Sequence, residues 1–169
     1  MTLTEAKALV NCDPLHVPHA QTWFDLGCGS GLFSEALHEL LPAGGLIYAV
    51  DKQPTTFNNK NIHFLQLDFV KDPLLDVHAD GILMANSLHY VKDKLLLLNK
   101  IKSNLKSTGV FLLVEYDTEA SNPWVPYPIS FQVASDLFRR LGFETAYKIA
   151  EMPSRFDNRK IYAAIFSRR

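Results

Sequence analysis

An α/β fold, with a mostly parallel sheet doubly wound by helices on both faces, follows from three features of the sequence. Short apolar runs rich in β-branched and aromatic residues alternate with segments of helical spacing, the pattern of successive βα units. A turn carrying three glycines, Asp25-Leu26-Gly27-Cys28-Gly29-Ser30-Gly31, joins the first such run to the first long helix. The last two apolar runs are separated by a polar stretch that suits an antiparallel hairpin better than another crossover.

The elements follow in order. Thr4 to Val10 predicts a short helix that stops before Pro14, with Thr4 followed three residues later by Lys7 where a capping box would have Glu. Thr22 to Leu26 is the first strand. Ser30 to Leu41 has apolar positions at Leu32, Phe33, Ala36, Leu37, Leu40 and Leu41 and is stopped by Pro42 and Gly44, so it is a helix. Leu46 to Val50 and Ile62 to Leu67 are strands two and three. Pro54 to Asn61 holds few helix formers, and Val70 to His78 has room for at most one helical turn. Gly81 to Ala85 is strand four, Lys92 to Leu105 a helix, Gly109 a turn, and Val110 to Glu115 strand five. Asn122 to Pro128 holds three prolines and two aromatics in seven residues and must be a stiff loop. Ser130 or a neighbour caps a helix to about Leu141 that Gly142 ends. The final strands lie near Glu144 to Ala150 and Ile161 to Phe166.

Residues 1–169 read as one domain with 1–21 as an N-terminal helical segment, since a chain of this length supports a single core. Lys plus Arg (17) nearly balances Asp plus Glu (18), which gives no basic field for nucleic acid. No run of about eighteen apolar residues and no leader pattern occurs, so neither membrane insertion nor export is expected, and the predicted location is cytoplasmic. Cys12 and Cys28 are read as reduced thiols, and no His or Cys pairing suggests a metal site.

The glycine turn follows a strand and opens a helix, which lets a ligand approach bare backbone while N–H groups point at it. Asp51 ends the second strand 24 residues after Gly27, where a carboxylate accepts from both ribose hydroxyls of an adenosine. Asp68 ends the third and can accept from an exocyclic amine, with Phe69 available to an adenine face. A dinucleotide fingerprint is disfavoured, because Leu32 stands at its sixth position and the third glycine comes one residue early at Gly31. Asp25 would repel a pyrophosphate yet suits the amino group and sulfonium of a cationic methionine.

These residues resemble the class I S-adenosylmethionine-dependent methyltransferases of the small-molecule type, over roughly Thr22 to Asp117. The resemblance implies a Rossmann-like, seven-stranded sheet in the order 3-2-1-4-5-7-6, its last strand antiparallel, and S-adenosylmethionine as cofactor with S-adenosylhomocysteine as product. It implies a methionine-binding loop at Asp25, Gly27, Cys28, Gly29 and Gly31, a ribose acid at Asp51 beside Lys52, and an adenine pair at Asp68 and Phe69. The segment Ala85 to Tyr90 looks like the lining of the methyl-transfer site.

Methyl transfer from a sulfonium needs alignment more than acid–base help, so no conspicuous catalytic motif is required. The Asn-Pro-Pro-Tyr tetrad of base amino-methylases is missing after Asn86, which argues against nucleic-acid acceptors. Asn86 is a cofactor contact through its backbone carbonyl, or a plain turn residue. His89 is the candidate base or substrate hydrogen-bonder, or a structural histidine. Tyr90 belongs to the same lining segment, and Glu115 and Tyr116 edge the acceptor pocket or simply pack. Trp124 and Tyr127 are pocket walls or a clamp over the sheet edge. Arg155 and Arg159 are forked donors for an acceptor anion, or solvated loop charges. The leading reading is a methyltransferase for an O, N or C nucleophile of a small molecule, acting as monomer or homodimer. The rival is a cofactor-binding protein without chemistry that serves as an interaction module.

Overall fold

The computed structural model describes residues 1–155 and 158–168. Seven strands, β1 (Thr22–Leu26), β2 (Leu46–Asp51), β3 (Ile62–Gln66), β4 (Ala79–Ala85), β5 (Leu105–Tyr116), β6 (Thr145–Pro153) and β7 (Lys160–Ser167), form one sheet. Its order is β3-β2-β1-β4-β5-β7-β6, as the family resemblance implied. The pairs from β3 to β5 are parallel, and β7 runs antiparallel to both β5 and β6. The polar stretch before the last strand therefore does close a hairpin.

Alternation along the strands divides the core in two. Phe24, Ile82, Met84, Phe111 and Phe166 bury one face beneath α3 (Lys94–Ile101) and α4 (Phe131–Arg140). Trp23, Ile47, Leu83, Leu112 and Ile165 bury the other beneath α1 (Leu3–Val10) and α2 (Leu32–Leu40). Each large side chain taken fully out of water contributes roughly 1.5–3 kcal/mol, and most of the central strands are buried on both faces. Close approach also uses missing side chains: the Trp23 ring lies over Gly81, where a Cβ would collide with it.

Several boundaries differ from expectation for local reasons. The N-terminal helix is capped by Thr2, whose hydroxyl accepts from Glu5 N at 3.2 Å while Glu5 Oε2 accepts from Thr2 N at 2.7 Å. This Thr-x-x-Glu capping box starts two residues before Thr4. Gly31 has φ +89°, a left-handed conformation that excludes it from the helix, so α2 starts at Leu32. The helix expected to reach Leu105 stops at Ile101, because the turn Lys102–Asn104 leads Leu105 into pairing with Ala79. Gly109 is not a turn between elements; it lies within β5, where the pairing jumps from Ala79–Leu105 to Gly81–Val110. Ser130 and Gly142 bound the last helix as expected, Ser130 Oγ accepting from Val133 N and Gly142 taking φ +88°.

The two stretches read as helix-poor hold no helix. In one, Asn59 organises a turn by accepting from Asn61 N and Ile62 N. In the other, Lys100 Nζ of α3 donates to the carbonyls of Phe69, Val70 and Asp72 at 2.8–2.9 Å. That ammonium satisfies backbone groups left without a ladder.

Candidate active site

The glycine turn sits at the carboxyl end of the sheet and is tied to its neighbour strand. Gly27 N and Cys28 N both donate to Val50 O, at 2.8 and 3.0 Å, and Gly29 N donates to Asp51 Oδ2 at 2.8 Å. Gly27, at φ +82°, lies against Ser87, where a Cβ would overlap that side chain. Gly29, at φ +54°, has open space where a Cβ would be. A cavity of about 540 Å³ opens there, with Asp51, Lys52, Asp68 and Phe69 on its wall. Asp51 Oδ1 accepts from Gln53 N, so each carboxylate oxygen holds one backbone donor and retains capacity for another. Asp68 Oδ1 accepts from Val70 N, with Lys52 and Lys71 Nζ at 4.0 and 3.8 Å from Oδ2.

Asp25 and Cys28 stand beneath this cavity and not in its wall. Alternation in β1 sends Asp25 to the same face as Trp23, under the first turn of α2, where Oδ2 accepts from Ser34 Oγ at 2.5 Å. Burial pushes its carboxyl up to about 7, against the Ser34 hydrogen bond and with the Asp51 charge adding to the rise. Asp25 Oδ1 is buried without a hydrogen-bond partner among the described residues, as is Asn86 Oδ1. The Cys28 side chain packs in the core, and burial, then the charges of Asp25 and Asp51, push its thiol well above the usual range.

A second cavity, of about 730 Å³, lies on the other side of the segment after β4 and shares Asn86 and Tyr90 with the first. Asn86 makes this corner with φ +53° and anchors it through its N–H to Val114 O at 2.8 Å. His89, Tyr116, Asn122, Trp124, Val125 and Arg159 complete the wall. His89 is buried; its Nδ1 lies 2.6 Å from Glu115 Oε2, and its backbone N donates to Glu115 Oε1 at 3.1 Å. A carboxylate only accepts, so in this contact Nδ1 is the donor to Glu115. The His89 ring is 4.3 Å from that of Tyr90 and 6.0 Å from that of Tyr116, centroid to centroid, and the Arg159 guanidinium carbon lies 4.9 Å from the Tyr116 ring centroid, over the ring.

Two expected residues fall elsewhere. Arg155 pairs with Glu5 of α1 at 2.5 Å, which draws it to the N-terminal helix, away from the second cavity. Tyr127 is half-exposed beside the cavity; its N–H donates to His89 O at 3.0 Å, and Lys94 Nζ lies 5.6 Å over its ring. It braces the histidine turn. Two residues that the sequence reading passed over also matter. Ser87 Oγ donates to Leu26 O at 2.6 Å and seats Gly27, and Asn122 Oδ1 accepts from Trp124 N and Val125 N at 2.8 Å, presenting the indole. An Asn two residues before Trp124 in a proline-rich loop is a usable signal for the second; nothing local marks the first.

Residues 24–113, more than half of the chain, match the model of the methyltransferase domain family. The chain belongs to this family. The fold of the methyltransferase is similar to that of Burkholderia thailandensis 1,6-didemethyltoxoflavin-N1-methyltransferase, solved with 1,6-didemethyltoxoflavin and S-adenosylhomocysteine. The TM-score is 0.72 at 15% identity over 98% of this chain and 77% of that one. An S-adenosylmethionine-dependent methyltransferase from Aquifex aeolicus is similar at TM-score 0.64 and 19% identity, over 97% and 98% of the two chains. Human N-acetylserotonin methyltransferase, solved with S-adenosylmethionine, gives 0.68 and 23% over 95% and 50%. No curated protein matches by sequence. S-adenosylmethionine is the cofactor of the family, and the first cavity fits it. Its wall offers bare glycine backbone, the carboxylates of Asp51 and Asp68, and Asn86, whose Oδ1 is buried without a hydrogen-bond partner among the described residues.

Proposed function

We propose that this methyltransferase transfers the methyl group of S-adenosylmethionine to an O, N or C nucleophile of a small molecule. The observation that carries the reading is the pair of cavities sharing Asn86 and Tyr90, one walled by carboxylates and glycine backbone, the other by aromatic rings. Cavities that adjoin at Asn86 and Tyr90 would let the donor methyl carbon and the acceptor nucleophile meet at that junction, as in-line displacement requires. In the first cavity Gly27 and Gly29 present backbone, Asp51 takes the ribose hydroxyls, Asp68 and Phe69 take the adenine, and Lys52 covers the outer edge. Asn86 orients the amino-acid part, and the raised Asp25 carboxyl ionises more readily once the cofactor's positive charge is nearby. Bound there, S-adenosylmethionine supplies a methyl carbon already activated by a sulfonium, whose sulfur keeps the bonding electron pair.

The chain's own contribution on the acceptor side is His89. Held by Glu115 with Nε2 as the acceptor nitrogen, it accepts the proton that an O–H or N–H nucleophile releases as it gains the methyl carbon. Neighbours of the same fold act on small molecules by name, a didemethyltoxoflavin and N-acetylserotonin, which supports the acceptor class. Calorimetry with S-adenosylhomocysteine tests the cofactor half: binding in the micromolar range is expected, and Asp51→Ala weakens it by about 1.5–3 kcal/mol, the range for hydrogen bonds to a charged group. A screen of small-molecule acceptors with methyl-labelled cofactor tests the transfer half; label moving only to protein or nucleic acid would overturn the acceptor class.

A further inference from the structure

The loop 122–128, which carries Trp124, is tied to the histidine turn through the backbone of a single residue. Tyr127 N donates to His89 O at 3.0 Å, and Tyr127 O accepts from Lys94 Nζ at 2.7 Å. The same ammonium donates to Val91 O at 2.8 Å and lies 5.6 Å over the Tyr127 ring. An ammonium has three N–H donors and no acceptor capacity. Here two meet carbonyl oxygens, and the charge faces the negative face of an aromatic ring. The contacts close a circuit through His89, Val91, Lys94 and Tyr127, joining the segment between β4 and α3 to the loop between β5 and α4.

Lys94 is built differently from a solvated surface charge. It is partly buried, so water competes less for its hydrogen bonds. It is also the first residue of α3, directly after the cap Asp93, where the helix dipole disfavours a cation. Its favourable contacts are made outside its own helix. Both segments that it joins are cavity walls: Tyr90 and Val91 line the first cavity, and Tyr90, Trp124 and Val125 line the second, whereas Lys94 lines neither. Buried Val125 and Ile129 seat the loop on either side of Tyr127, and Asn122 fixes the indole within it. The Tyr127 bracket then sets how the loop meets the turn that carries His89.

Resting on the functional reading above, we infer that Lys94 is a positioning residue for methyl transfer, which touches neither reactant and clips the Trp124 loop to the His89 turn so that the acceptor wall stands at the junction of the two cavities. Without the clip the acceptor has to order the loop as it binds. The cost then falls on acceptor affinity and spares the cofactor, whose contacts come from the other half of the sheet.

Hydrogen exchange of the full chain, followed by NMR at the Tyr127 amide, tests the clip. The Trp23 indole N–H is the control, because it is buried and bonded to Gln21 Oε1. In Lys94→Met, whose side chain keeps most of the length and loses the donors, Tyr127 exchange is expected to accelerate at least about tenfold while the Trp23 signal is unmoved. Lys94→Arg, which restores charge and donors, recovers most of the protection. Should the Met variant fail to fold, Lys94→Gln takes its place and loosens the loop in the same way. The compound that the labelled-cofactor screen returns gives the kinetic readout: Lys94→Met raises its KM at least about tenfold, changes kcat less than about threefold and leaves S-adenosylhomocysteine affinity unaltered. Unchanged Tyr127 exchange, equal loosening at Trp23, loosening that arginine does not reverse, or an unmoved KM overturns the inference. A screen that returns no acceptor overturns the functional reading instead, and exchange at Tyr127 still decides whether the clip exists.

Discussion

Glu115 holds His89 twice, by ring and by backbone, and both partners are buried. The two bonds fix the orientation of the imidazole, and nitrogen NMR of the ring checks its tautomer directly. The expected form is Nδ1–H, and Glu115→Gln abolishes the preference and lowers kcat at least about tenfold with little change in acceptor KM. An Nε2–H ring in the unaltered protein would refute the assignment. Asp25 makes a pH prediction. Its carboxyl titrates near 7 when folded, above the ordinary carboxylate value, so between about pH 4 and 7 the folded state keeps a proton that the unfolded chain has released. Stability falls as pH rises through that window, by at most about 4 kcal/mol, and Asp25→Asn flattens the dependence; urea unfolding at pH 5 and 8 measures it. The strand-end acids Asp51 and Asp68 were legible in the sequence because position along a strand dictates where a carboxylate emerges. The burial of Asp25 and Cys28 was not, since it depends on which face of β1 carries α2.

The helices and loops differ in how openly they declare themselves. Amphipathic α4 was readable from its Ser130 cap and Gly142 stop, because both are local chemistry. Its anchor is Phe138, which stacks on Phe166 at 4.1 Å and 13° and also meets Phe111 and Phe143. Phe138→Ala is expected to cost about 3–5 kcal/mol, read from the denaturation midpoint at unchanged slope. The end of α3 was misjudged because Leu105 is apolar at helical spacing yet pairs with Ala79, a contact far away in sequence. The loop 122–128 was predictable as stiff, and Trp124 reached the cavity wall as expected. Tyr127 turned instead to brace His89 through its backbone and to pack with Lys94, a choice made by α3.

The assembled molecule places every proposed cofactor contact on the β1–β3 half of the sheet and the segment after β4, while the acceptor wall draws on β5, its following loop and the terminal hairpin. Cofactor binding to the folded state alone raises stability by about 2.7 kcal/mol at a hundredfold excess over Kd, so a thermal melt with S-adenosylhomocysteine shifts upward by several degrees. Asp51→Ala abolishes most of that shift, and the loss of its bonds from Gly29 N and Gln53 N lowers the baseline melt by a smaller amount. Among the described residues no helix is long and apolar enough to cross a membrane. The strand order was legible through the family resemblance, and the terminal hairpin from the spacing of the last two strands; the meeting of Arg159 with Tyr116 was not legible, since residues distant in sequence create it. The insertion of β7 between β5 and β6 also bears on how the protein is made. As synthesis proceeds, β6 emerges with no strand to join, and the long apolar edge of β5 waits uncovered until Lys160–Ser167 clears the ribosome. A nascent chain stalled before that point would carry an open, buried-type strand edge, and it would be a natural client for a holding chaperone.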